Sequence, residues 1–232
     1  MYYYETHLHT TPVSRCAGAT PEESVRYYKE IGYAGIFITN HFIDGNINVD
    51  RSLPYAERIE FYFSDYEKGA AYGKEIGFDV FPGVEMTYGG TDFLVYGLDK
   101  DWYLAHSEIE GMEKSKLLPM LMEHGALVIH AHPFREAGYI DHIRLYPRCV
   151  HGVEIFNACR SPFENKLAGQ YTENYELIPF SGSDNHSAHR LTTLGGMALD
   201  HKITGVSDFV QAVLAKEAKP IRRLPDGTVA LL

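Results

Sequence analysis

The stretch MYYYETHLHTTP, residues 1–12, sets how the rest of the chain is read. Its first half is aromatic and β-branched in character, which predicts a strand over residues 2–8. His7 and His9 are two apart, and along a strand residues i and i+2 project to the same side. The pair therefore aims two imidazoles at one place, where two neutral ring nitrogens can hold a metal ion at about 2.0–2.1 Å. A His-x-His triplet is common by chance, and two buried histidines at a barrel mouth are the plain alternative. The other strand ends decide between them.

Working outward, Thr20-Pro21-Glu22-Glu23 has the makings of a helix start, with an N-cap, a proline in the first turn and two acids. That helix runs to about Glu30, where Gly32 stops it. Residues 35–39 form a short apolar strand that ends at Asn40-His41. A long helix is predicted over 54–76, with Gly77 after it. Strands follow over 78–85 and 93–96, then a helix over 114–124 in which Pro119 is a weak point. Further on come a strand over 126–130, a helix over 139–145, a strand over 151–156, a helix over 162–174 and a strand over 177–181 that leads into Gly182-Ser183-Asp184. A helix over 206–217 and a polar, glycine-containing tail close the pattern. Alternating strands and helices with short connections predict an α/β fold with a parallel sheet and helices outside it. About seven such strands would close into a (β/α) barrel resembling a TIM barrel. No linker, repeat or low-complexity stretch interrupts the chain, so one domain over residues 1–232 is expected.

In a parallel barrel the C-terminal ends of the strands share one face, and active sites sit there. The strand ends carry His7 and His9, His41, Glu85, His130 and His132, and Asp184 and His186, with Asp92 just before the strand at 93–96. Mixed nitrogen and oxygen ligands of this kind suit zinc, manganese or iron, and a carboxylate such as Glu85 is able to bridge two ions.

Composition narrows the function. The net charge of -10 disfavours binding of long nucleic acid through the overall field, so small-molecule chemistry is expected. The 45% hydrophobic content supports a full core. Cys16, Cys149 and Cys159 are odd in number and scattered, with no disulfide framework or CxxC motif. With no signal-peptide pattern and no apolar run of membrane-span length, a cytoplasmic protein without membrane contact is expected. Oligomeric state is not readable.

The motifs His7-Leu8-His9-Thr10, Thr39-Asn40-His41, Gly83-Val84-Glu85, Ala131-His132-Pro133 and Gly182-Ser183-Asp184-Asn185-His186, in this order, resemble those of the PHP (polymerase and histidinol phosphatase) domain family, over nearly the whole chain. The resemblance implies a distorted seven-stranded (β/α) barrel, two or three divalent ions (zinc, manganese or iron) and hydrolysis of phosphoesters. Carried over by position, it implies that His7, His9, Glu85 and Asp184 hold one ion, Glu85, Asp92 and His132 a second, and His41 and His186 a third. The chain departs from the family pattern at Asn40, where aspartate is usual, and at Asp92, where histidine is usual. It departs again at Arg15-Cys16, where a His or Asp often completes the third site; Cys16 is either a soft ligand or a plain buried cysteine.

The expected function is a metal-dependent phosphomonoesterase in which a metal-activated hydroxide attacks phosphorus in line. His186 or His130 would supply the proton, and His130 otherwise supports the ligands or touches substrate. Arg15, Arg135, Arg160 and Arg190 each follow a strand-end motif, and their guanidinium forks match phosphate oxygens. The substrate would be a small-molecule phosphate ester, of histidinol-phosphatase or nucleotide-phosphatase type. The rivals are an amidohydrolase-type metal hydrolase, which also begins with His-x-His but often uses a bridging lysine, a nucleotide-processing enzyme, and a non-catalytic PHP module.

Overall fold

A computed structural model describes residues 1–232. Strand β1 (Tyr2–Glu5) is followed by α1 (Pro21–Glu30), β2 (Gly35–Ile38), α2 (Tyr55–Ile76), β3 (Asp79–Pro82), β4 (Val84–Tyr88) and β5 (Thr91–Tyr96). Next come α3 (Lys100–Ala105), α4 (Lys114–Glu123), β6 (Leu127–Ala131), β7 (Gly152–Asn157), α5 (Pro162–Asn174) and β8 (Ile178–Gly182). The chain closes with β9 (Leu194–Leu199), α6 (Val206–Leu214), β10 (Lys219–Arg223) and β11 (Val229–Leu231). The helix starts follow from local chemistry. Thr20 and Glu23 form a reciprocal capping box at α1, and Ser161 and Glu164 do the same at α5. Gly77, with φ of 70°, ends α2 in the left-handed conformation that glycine adopts at least cost. Helix α4 runs through Pro119. No helix is long and apolar enough to cross a membrane.

The α/β class stands, but main-chain pairing divides into two sheets in place of the one seven-stranded barrel expected. One has the order β11-β10-β9-β1-β2-β3 and the other β4-β5-β6-β7-β8. Single bridge pairs, Leu8 with Asn185 and His41 with Glu85, tie the sheets together near the candidate residues. The pairing is also mixed: β1–β2, β2–β3, β6–β7 and β7–β8 are parallel, while β5 runs antiparallel to both neighbours. The cause is local. Gly89 and Gly90 both take positive φ and turn β4 straight back into β5, leaving no room for a crossover helix. Asp92 therefore reaches the site from the beginning of its strand, not from a C-terminal end.

Three other expectations are corrected. The first strand stops at Glu5 because the Glu5 carboxylate, not a neighbouring strand, accepts from the backbone N–H of Thr6 at 3.0 Å and of His7 at 2.9 Å. The helix expected over 139–145 is absent; this stretch is turns and irregular chain between Gly138 and Pro147, too short to sustain a helix without a packed face. Strand β9 was not anticipated, since Gly195-Gly196 reads as a turn. The glycines are there for close approach: a Cβ on Gly195 would lie 2.2 Å from the Gly182 carbonyl oxygen.

The core lies in two main bodies. Phe63, Phe93, Tyr103, Leu118 and Val128 pack α2, α3 and α4 against the outer face of β4–β6. Tyr4, Phe37, Tyr96, Ile129, Phe180 and Phe209 join strands of both sheets with α6. The polar residues of the strand ends sit at the border of this apolar body, which limits their access to water.

Candidate metal centre

His7 and His9 lie just beyond β1, with ring centroids 5.2 Å apart. Glu85 in β4 sits between four histidines. Its oxygens are 3.2 Å from His7 Nε2, 3.6 Å from His9 Nε2, 2.5 Å from His41 Nδ1 and 3.3 Å from His132 Nε2. Asp184, just after β8, lies 3.3 Å from His9 Nε2 and 3.6 Å from His7 Nε2. Three sets of ligand atoms lie close enough to share a cation: His7–His9–Asp184, His7–Glu85–His132 and His9–His41–His186. Asp92 is in none of them. It lies 3.9 Å from His132 Nε2 and is paired with Arg135 at 3.1 Å.

Two of these residues occupy unusual backbone. His132 has φ of 25° and Asp184 φ of 56°, left-handed conformations that cost a non-glycine residue free energy and gather at functional sites. The turn at His132 also explains where His130 goes. Strand β6 ends at Ala131, so His130 and His132 do not share a face, although they are two apart. His130 is fully buried, stacks on Phe93 at 5.0 Å and lies 6.0 Å from Tyr171, away from the cavity. The catalytic or substrate role expected of His130 is corrected accordingly. Neither ring nitrogen has a partner. Burial, with a smaller push from His132, drives its pKa down to about 3. Substituting His130→Leu should therefore leave ion content unchanged and raise stability by roughly 1–3 kcal/mol, the cost of unmet polar groups, as read by thermal melting. The pH sign is fixed as well. Between about pH 6.5 and pH 3 the unfolded chain takes up a proton that the folded chain refuses, so stability falls with acid. The variant should lose less over that window.

Residues not singled out from the sequence hold the histidines in place. Glu154 in β7 accepts from His7 Nδ1 at 2.9 Å, from the His132 backbone N–H at 3.1 Å and from Asn157 Nδ2 at 2.9 Å. His7 Nε2 is thereby turned to the cluster. Ser14 Oγ sits 3.2 Å from His9 Nδ1, and the Asp184 carbonyl accepts from His186 Nδ1 at 2.8 Å. Asn40, where the PHP resemblance implies aspartate, is buried and structural. Its Oδ1 accepts from the Thr10 N–H at 2.7 Å and from Ser14 Oγ at 2.8 Å. Asp65 of α2 accepts from Thr10 Oγ1 and Val13 N, both at 3.0 Å. Glu5 also accepts from Tyr28 OH at 2.7 Å and from the Ser183 N–H and hydroxyl, tying β1 to the Asp184 turn. The available signal was a carboxylate inside an otherwise apolar strand, as in His151-Gly-Val-Glu154-Ile-Phe156.

The electrostatics follow from this crowding. Burial alone would raise the pKa of Glu85, but His41 and His9 outweigh it and hold the carboxyl well below its ordinary range. Asp184 is held down in the same way, against burial, by His7 and His9. His9 goes well below the usual histidine value through burial and the neighbouring His186 and His41, which favours the neutral imidazole that a metal requires. Asp92 is pushed up by burial and by Glu85.

A cavity of about 590 Å³ opens over the cluster, lined by His41, Glu85, Asp92, His132, Asp184 and His186 together with Cys16, Arg135, Tyr139 and Arg160. Of the four arginines expected at a phosphate, Arg135 and Arg160 are there. Arg15 and Arg190 are exposed and outside the lining, since each sits in a reversal of the chain that carries it into solvent.

No protein-family model matches this chain, and no curated protein does. Solved structures do. A two-domain protein from Bacteroides vulgatus, containing a predicted PHP-like metal-dependent phosphoesterase, superimposes with a TM-score of 0.67 at 16% identity over 94% of this chain. The chain is PHP-like in fold. It spans 64% of that two-domain protein. A protein from Bifidobacterium adolescentis, assigned as a metal-dependent phosphoesterase, gives a TM-score of 0.55 at 12% identity, covering 92% of this chain and 96% of its own. An amidohydrolase from Chromobacterium violaceum gives a TM-score of 0.52 at 13% identity, covering 79% and 87%. At such identities the PHP-like likeness is one of backbone course alone.

Proposed function

We propose that this chain is a metal-dependent hydrolase whose site binds two or three divalent ions and cleaves a phosphate monoester of a small molecule. One observation carries the reading. His7 Nε2 and His9 Nε2 are buried without hydrogen-bond partners, and Glu85, His132 and Asp184 converge on them from distant segments. Each such atom costs about 1–3 kcal/mol if left unmet, and a shared cation would meet them both. Imidazole with carboxylate is a donor set for zinc, manganese or iron.

His7, His9, Glu85 and Asp184 would hold one ion, Glu85 and His132 with Asp92 a second, and His41 and His186 a third. Bound ions polarise phosphoryl oxygens and lower the pKa of water. The chain's own residues prepare the ground. Glu154 and the Asp184 carbonyl orient His7 and His186. Arg135 and Arg160 present guanidinium forks at the cavity wall, where they would bind and orient phosphate oxygens. Of the two histidines expected to move a proton, only His186 stands at the cavity, with 27% of its side chain exposed.

Ion content of the purified protein, followed by a screen of phosphate esters with and without chelator, tests the reading. Hydrolysis that survives complete ion removal would end it. Arg160→Ala should raise KM for the ester by about 10-fold or more, the worth of a charge-assisted hydrogen bond, with ion content unchanged. The amidohydrolase likeness supports a second reading, cleavage of a C–N bond; turnover of amides but not esters would favour it. No lysine lines the cavity to serve as a bridging ligand.

A further inference from the structure

We infer that Cys16 is a metal ligand, its thiolate joining His41 and His186 in a site that takes a thiophilic divalent ion such as zinc or cobalt in preference to manganese or magnesium. The inference rests on the metal-binding reading of the site and adds to it a donor and a selectivity.

Cys16 Sγ lies 3.2 Å from His41 Nε2, and Cys16 lines the same cavity as His41 and His186. Two donors of a tetrahedral ion, at about 2.3 Å for sulfur and about 2.0–2.1 Å for nitrogen, stand roughly 3.5 Å apart. The observed separation needs little adjustment to admit an ion. An independent observation points to the same place. His9 is fully buried, its Nε2 has no hydrogen-bond partner, and its ring faces those of His41 and His186, each at a centroid distance of 4.3 Å.

The cysteine is also held in position. The Arg15 N–H donates to the Asn46 carbonyl at 3.0 Å, and Ser14 Oγ accepts from the His41 backbone N–H at 3.1 Å while donating to Asn40. These contacts tie the 14–16 segment to the end of β2, where His41 sits. The other thiol near the cluster is engaged differently: Cys159 Sγ donates to the Asp184 carbonyl at 3.3 Å. Thiolate sulfur is a soft donor that zinc and cobalt accept, whereas manganese and magnesium favour oxygen.

Cobalt(II) loaded into chelator-stripped protein reads the bond directly, because a thiolate ligand gives a near-ultraviolet charge-transfer absorption that imidazole and carboxylate do not. The wild type and Cys159→Ser should show the band, and Cys16→Ser should lose it and retain one equivalent less of zinc after dialysis. Cobalt bound by the wild type without the band, or a band that persists in Cys16→Ser, would overturn the assignment while leaving the hydrolase reading intact. Failure of the wild type to bind any cobalt would overturn both.

Discussion

Glu85→Gln should strip ions from the site and lower hydrolysis by on the order of 10³-fold, about 4 kcal/mol of activation free energy. Glu85 is 1% exposed and contacts His7, His9, His41 and His132. Asp184 also lies within 4 Å of four candidate histidines, but none of them is closer than 3.3 Å. An amide at this position removes the anion that faces four imidazoles and turns one acceptor into a donor. The fold should survive, because the β4–β5 ladder is main-chain and unaltered. Ion content and kcat for the best phosphate ester, checked against an unchanged circular dichroism spectrum, measure the effect. A folded Glu85→Gln protein with full ion content and full activity would remove the basis of the proposed function.

The next largest effect is expected at Glu154, a residue that does not line the cavity. Its Oε1 accepts from His7 Nδ1 and its Oε2 from the His132 N–H and Asn157 Nδ2, so both oxygens are engaged by donors. Glutamine would set an NH2 group against one of these donors, and one histidine would lose its anchor. Loss of such an orienting partner typically costs 10–100-fold in metal affinity or activity. Glu154→Gln should show a loss of that size in a competitive zinc titration, with Asn157→Ala less affected because it touches only one of the two oxygens. Equal zinc affinity in wild type and Glu154→Gln would mean that His7 is positioned by the chain alone.

The candidate site was legible wherever a motif marks the end of an apolar strand. His7-Leu-His9, Thr39-Asn40-His41, Gly83-Val84-Glu85, His132-Pro133 and Ser183-Asp184 each combine a strand with a break, and polar side chains at breaks in buried strands are few. Spacing failed at His130. The two-residue rule holds only while the strand continues, and the left-handed backbone at His132 ends it. Glu5, Asp65 and Glu154 were passed over because a lone carboxylate in a strand or helix looks the same in sequence whether it meets solvent or a buried histidine. Arg15 and Arg190 were indistinguishable from Arg135 and Arg160, since the side of a loop on which an arginine stands depends on how the loop folds back.

Local chemistry thus sufficed for the α/β class, the helix starts and the inventory of ligand-type side chains, because capping, alternation and strand breaks act over a few residues. The division into two sheets, the reversal of β5, the partners that orient each histidine and the choice of which cations face the cavity arose only when segments far apart in sequence packed together. Those features are contacts between residues far apart in sequence, 178 positions in the case of Glu5 and Ser183, and no short-range pattern encodes such a distance.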